Sequence, residues 1–300
     1  MPELIVATRD GLHSFDHQGA AGAVAHPGRS VAGVAHAGSD LWAIVEGPQI
    51  WRTAGNEWSR VAELDGLGAT CLAPTDDAVL VGSSEARLFR VAGDALEPVA
   101  AFDRAEGRST WYTPWGGPPD TRSISEWDDD VYVNVHVGGI LRSDDRSETW
   151  TPTIDVDADV HRVATAEGMV LAACAGGLAV STDRGATWTM RTEGLEARYA
   201  RGVTVCGDTV LVSTSNGPRG GRGAVYRGSL ASGGFERCRD GLPEWFGDNI
   251  DSSCLDALPD GSSVAFGTAD GRVFASQDGG STWSELAAGL PPVRAVLVLP

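Results

Sequence analysis

Apolar residues along this chain come in short runs broken by Gly- and Asp-bearing turns, and no longer stretch repeats them at capped helical spacing. The clearest unit lies in residues 159–192. His161-Arg-Val-Ala-Thr165 reads as strand A and Met169-Val-Leu-Ala-Ala-Cys174 as strand B. After Ala175-Gly-Gly177, Leu178-Ala-Val-Ser181 reads as strand C, and Trp188-Thr-Met190 opens strand D. Slid along the chain, this template places strand C at Leu12, Ile50, Leu88, Ile140, Leu178, Val225 and Val273, in steps of 38, 38, 52, 38, 47 and 48 residues. Three equal steps and three longer ones mean repeated units, some carrying insertions.

The seven units predict an all-β, seven-bladed β-propeller of four-stranded blades. The first unit lacks a strand A, because Leu4-Ile-Val-Ala-Thr8 already matches strand B. The chain ends on an orphan strand A, Val293-Arg-Ala-Val-Leu-Val-Leu299. Pairing of the N- and C-terminal strands would complete one blade from residues 1–25 and 292–300 and remove the open edges. No strand is left over, so residues 1–300 read as one domain.

The segment after strand C repeats as well. Ser143-Asp-Asp145-Arg-Ser147-Glu-Thr149-Trp150, Ser181-Thr-Asp183-Arg-Gly185-Ala-Thr187-Trp188 and Ser276-Gln-Asp278-Gly-Gly280-Ser-Thr282-Trp283 share the pattern S-x-D-x-G-x-T-W, with Gly55 and Trp58 as an eroded fourth copy. This pattern resembles the Asp-box, or BNR repeat, of sialidases, sortilin-like receptors and many bacterial propellers. The resemblance implies a structural turn: the Asp accepts backbone N–H groups and the Trp packs between blades. It therefore argues against a catalytic role for Asp145, Asp183 and Asp278. The chain departs from the sialidase pattern, which has six blades, an Arg-Ile/Leu-Pro motif near its start and a Tyr–Glu pair. Tyr199, Tyr226, Glu193 and Glu196 do not make that pair in sequence, so glycosidase activity is disfavoured.

Composition removes further classes. All 23 basic residues are arginine, which rules out a Schiff-base lysine or a phosphate-loop lysine. A net charge of −18 disfavours nucleic acid and anionic membranes as partners. Five scattered cysteines without a CxxC point to neither disulfides nor structural zinc, and Cys71, Cys206 and Cys254 read as core residues. Met1-Pro-Glu-Leu-Ile-Val-Ala-Thr-Arg9 runs straight into a strand without a secretory pattern, and the expected location is cytoplasmic.

The three long units owe their length to the D–A segments Arg108–Asp120 and Asp240–Asn249 and the B–C segment Ser215–Gly223. In a propeller these connections share one face, where a pocket for a polar ligand is expected. Polar strand ends support this: Arg122, Asn134 and His136 in the fourth blade, His161 and Arg162 in the fifth, Tyr199, Arg201, Ser215 and Asn216 in the sixth, and Asn249, Asp251, Thr268 and Asp270 in the seventh. His136 and His161 are the candidate catalytic residues, with Asp251. Together with Asp159, Asp157 or Asp251 the two histidines are also candidate ligands for a divalent metal, the one cofactor the sequence suggests. Arg122 and Arg201 would anchor an anion, with Tyr199, Asn216, Asn249 and Asp251 orienting it and Trp111, Trp115 and Trp245 walling it. The expected function is binding of a small polar or anionic ligand, with enzymatic turnover. The alternative is a non-catalytic scaffold for a protein or peptide partner.

Overall fold

Strand C forms in every unit, and in six of the seven it begins one residue before the predicted start: Gly11–Phe15, Gln49–Ala54, Arg87–Ala92, Gly139–Ser143, Gly177–Ser181 and Ala224–Ser229, with Val273–Ser276 on the predicted residue. Pairings such as Thr8 with Gly11 and Val135 with Gly139 bring the extra residue into the ladder. The computed structural model describes residues 4–55 and 57–300; the expected entry from Met1–Glu3 and residue Asn56 of the eroded motif lie outside them. Among the described residues the sheets number seven, all antiparallel, and the fold is a seven-bladed β-propeller. Six sheets have four strands in chain order. None of the described helices is long and apolar enough to cross a membrane.

The closing sheet is the predicted one. Ala295–Val298 pairs with Leu4–Thr8, Leu4 facing Val298 and Ala7 facing Ala295, and Leu4–Thr8 also pairs with Gly11–Phe15. All five residues of Leu4–Thr8 are buried, as a strand covered on both faces must be. The fourth position is irregular: residues 21–25 meet strand C at the isolated bridges Leu12–Ala25 and Phe15–Ala21, with Gly22 N–H donating to Ser14 O (2.8 Å) between them. The glycines and the proline of residues 19–28 cannot sustain a ladder there.

The chain divides into two compact units: residues 1–31, 173–178 and 190–300 in one, and 32–172 and 179–189 in the other. The first is cored by Leu4, Phe15, Phe246, Phe266, Phe274, Trp283 and Val296. The second has a cluster of Leu80, Phe102, Val133, Leu141 and Trp150, and another of Trp42, Ile44, Ile50 and Val81. All five cysteines are buried free thiols.

The repeated motif earns its spelling in the hairpin after strand C. In the second copy the Ser181 hydroxyl donates to Asp183 Oδ1 (2.8 Å) and accepts from Gly185 N–H (2.8 Å), while Asp183 accepts from Thr187 N–H (2.8 Å) and the Thr187 hydroxyl (2.6 Å). The other two copies repeat these bonds. The fifth motif position is left-handed in each copy: Ser147 at φ +70°, Gly185 at +89° and Gly280 at +82°. Glycine is favoured there because a Cβ crowds the backbone. The three aspartates consequently sit below the usual carboxylate range. The Thr187 hydroxyl and N–H, then Ser181, bring Asp183 down to about 2, and the Thr282 N–H leads the set that brings Asp278 to about 2. The tryptophans pack inward: Trp150 lies edge-on to Phe102 at 5.1 Å, the Trp188 indole donates to Thr153 O (2.7 Å), and the Trp283 indole donates to Gly280 O (3.0 Å).

Candidate functional site

Strand A carries an extra residue in at least three blades. The register slips between Ala69 and Cys71, between Thr121 and Ser123, and between Ala200 and Gly202, so Thr70, Arg122 and Arg201 are the bulged residues. A bulge bends the strand and re-aims one side chain, and bulges concentrate beside functional sites. Two of the three carry the arginines that composition and spacing single out.

In the unit containing residues 32–172, His136 follows strand B, Asp130–Val135, and His161 sits in strand A of the next blade, Val160–Ala166. Asp159 lies at the end of a one-turn 3₁₀ helix, Val156–Ala158, and is itself left-handed (φ +47°). Its carboxylate stands between the two rings: Oδ1 is 3.7 Å from His136 Nε2, and Oδ2 is 3.7 Å from His161 Nε2. Asn134, two residues before His136, ties the two blades by donating its amide to Val160 O (3.1 Å). His161 is fully buried and His136 is 4 % exposed. Val137, directly after His136, adopts φ +46°, a value at which a β-branched residue is strained.

The Arg108–Asp120 excursion folds over this turn. Trp111 packs on Phe102 at 5.9 Å and under the Arg108 guanidinium at 4.9 Å. A Cβ on Gly138 would come within 3.1 Å of the Trp111 ring, so the glycine is what lets the turn seat there. Tyr112 N–H donates to Val137 O (3.3 Å), and the His136 N–H donates to Asp120 O (2.9 Å). Trp115 then lies against His136, ring centroids 5.0 Å apart, and stays 72 % exposed. Of the expected walls, Trp111 is therefore a packing residue, while Trp115 presents an open aromatic face. Arg122 stands beside Asp120, whose carboxyl is pushed up by burial and pulled back by the Arg122 charge.

The metal expectation meets a geometric limit. Among the described residues no three His, Cys, Asp or Glu side chains gather so as to hold a metal ion. Two imidazoles and one carboxylate 3.7 Å away do not make a metal site by distance, and no step through a metal is derived.

In the unit containing residues 190–300, the candidates are engaged with one another. Arg201 Nε (2.9 Å) and Nη2 (2.5 Å) both donate to Asp251 Oδ1. Burial opposes the Arg201 charge, but Asp251, with Tyr199 behind it, more than offsets this and raises the guanidinium pKa. The arginine expected to hold an anion thus holds a carboxylate of its own chain, and Asp251, expected to be catalytic, is that carboxylate. Asn249 is locked by the Ser215 hydroxyl (2.5 Å) and by the carbonyls of Gly217 (3.4 Å) and Pro218 (3.3 Å). Asn216 remains exposed and pins the Ser215–Gly223 loop through its N–H to Gly221 O (2.9 Å). Trp245 is covered by the guanidinium groups of Arg222 (4.2 Å) and Arg237 (3.8 Å). A cleft of about 350 Å³ lies between residues 245–250 and 268–272. Its polar side chains are spoken for: Thr268 bonds Asp270, and Arg272 bonds Glu285.

Comparison with known proteins extends the fold and stops there. No family model and no curated protein matches the chain. Among solved structures it is similar to a candidate 6-phosphogluconolactonase from Bacteroides uniformis (TM-score 0.69, 12% identity, covering 99% of this chain and 98% of that one). It is also similar to an ancestral GH74 enzyme (0.65, 13%, covering 85% of this chain and 38% of that one) and to YCF48 from Cyanidioschyzon merolae (0.59, 12%, 87% and 86%). At such identities the likeness is one of architecture, and architecture hosts unrelated chemistries.

Proposed function

We propose that this chain is an Asp-box propeller that binds a small polar molecule against Trp115 and acts on it by proton transfer at His136. The S-x-D-x-G-x-T-W turns and their repeated hydrogen bonds support the Asp-box membership. The observation that carries the function is the Asp159 carboxylate placed 3.7 Å from both imidazoles under an exposed tryptophan. At 3.7 Å the carboxylate acts on each ring through its charge, and an imidazole beside a carboxylate is an arrangement that general acid–base chemistry uses. His136 is the member next to Trp115 and carries the proton transfer; His161, with no exposed surface, positions Asp159. Strain at Val137 and Asp159 holds the pair in place at a cost that packing elsewhere offsets.

A panel of sugars, lactones, hydroxy acids and sugar phosphates, screened by thermal shift with product detection, tests this reading. A responding compound should lose its shift in Trp115→Ala and its turnover in His136→Asn. A compound turned over equally by His136→Asn removes the proposed chemistry. One observation favours a second reading: Tyr112 and Trp115 are both exposed on the same excursion, as a peptide-binding scaffold would display them. A protein partner whose capture depends on Trp115 but not on His136, with the panel silent, would select it.

A further inference from the structure

Three arginines of the sixth blade converge on one carboxylate. Glu196 Oε2 lies 3.2 Å from Arg222 Nη2, and Oε1 lies 3.3 Å from Arg239 Nη2 and 3.7 Å from Arg237 Nη1. Three guanidinium groups thus share one carboxylate, in a chain whose net charge is −18. Arg237 is the telling member. Its side chain is only 4 % exposed, it lies against Trp245, and its Nε and Nη1 make no hydrogen bond. At 3.7 Å the Glu196 oxygen is too far to accept one. Buried guanidinium donors without acceptors carry a desolvation cost that an additional acceptor would remove.

Its neighbours fit that role. Arg222 and Arg239 are 48% and 64% exposed, so they reach solvent while Arg237 forms the floor. The Trp245 ring lies 4.2 Å from the Arg222 guanidinium carbon and 3.8 Å from that of Arg237, a cation–π contact that restrains both groups. Guanidinium forks match the oxygens of phosphate, sulfate and carboxylate, and a pre-arranged cluster loses little entropy on binding.

We propose that Arg222, Arg237 and Arg239 form a binding site for a small oxyanion, which Glu196 shares as an intramolecular carboxylate. The site is independent of His136 and Trp115. Calorimetry and thermal shift with sodium phosphate, sulfate and acetate, each against sodium chloride at equal ionic strength, test it on the full chain. At least one oxyanion should bind saturably and raise Tm beyond the chloride control. Arg239→Gln, at an exposed position that leaves folding intact, should weaken that binding about tenfold, a loss of about 1.4 kcal/mol. Glu196→Gln, which keeps the shape and removes the competing charge, should tighten it several-fold. Identical responses to oxyanions and chloride would overturn the proposal, as would binding unaltered in Arg239→Gln and Arg222→Gln. Binding weakened by Glu196→Gln would equally refute the sharing of the site.

Discussion

The turns at residues 143–150, 181–188 and 276–283 and the excursion at residues 108–120 are both rich in Trp, Thr, Asp or Gly, and they use these residues in opposite ways. In the turns the motif Ser, Asp and Thr side chains bond one another and the hairpin backbone, and two of the tryptophans are buried: Trp150 and Trp283 are each 5 % exposed. In the excursion only part of the set is so occupied. Trp111 packs and Thr113 bonds the carbonyls of Gly116 and Gly117, yet Trp115 is left open over His136. On the proposed reading, that open face is the surface on which the ligand would rest. The difference separates residues that build the propeller from residues that use it.

The sharpest way to break this contrast is to truncate one tryptophan of each kind. Trp283→Ala removes a ring packed against Phe266 at 4.9 Å and should cost about 3–5 kcal/mol, read by denaturant unfolding. Trp115→Ala should stay within about 0.5 kcal/mol of the parent and lose only ligand response. Equal destabilisation in both would erase the distinction.

Charge offers the next test. At net −18 the folded chain repels itself, and raising salt from about 0.01 M to about 1 M shortens the screening length from roughly 30 Å to 3 Å. Tm should therefore climb with added KCl, and a fall would show that local ion pairs such as Arg201–Asp251 outweigh the global field.

Acid then isolates the turns. A carboxyl depressed in the folded state contributes stability that is complete above the unfolded value of about 4 and is lost as pH drops through the folded value. With Asp183 and Asp278 at about 2, Tm should fall between pH 4 and pH 2. The doubly substituted Asp183→Asn, Asp278→Asn chain should start lower and fall less steeply across that window.

The smallest effect concerns the one turn that breaks its own rule. Ser147 stands left-handed where the other copies have glycine. Ser147→Gly should gain about 0.5 kcal/mol, relief of the left-handed strain outweighing the extra freedom of glycine in the unfolded chain.

These cases also explain what can be read from the sequence. The blades, their starts and the terminal pairing were legible because strand period, turn residues and the octamer are local signals repeated seven, or three, times. His136, His161 and Asp159 were legible as candidates because they sit at strand ends next to long connections. The bulges at Arg122 and Arg201 were not, since a slip in register is a property of two strands together. Nor was the fate of the other walls: Trp245 is covered by Arg222 and Arg237, and Asn249 is consumed by Ser215, through contacts that no repeated local signal marks. The irregular strand at residues 21–25 escaped because Gly and Ala give a strand nothing to repeat.

The most direct test follows the imidazole and indole signals by NMR while the polar-ligand panel is added. The account predicts that at least one compound shifts the His136 ring and the Trp115 indole together, and that Asp159→Asn weakens the joint response. A panel that leaves both side chains unmoved, or a bound compound that perturbs only residues elsewhere, would contradict it.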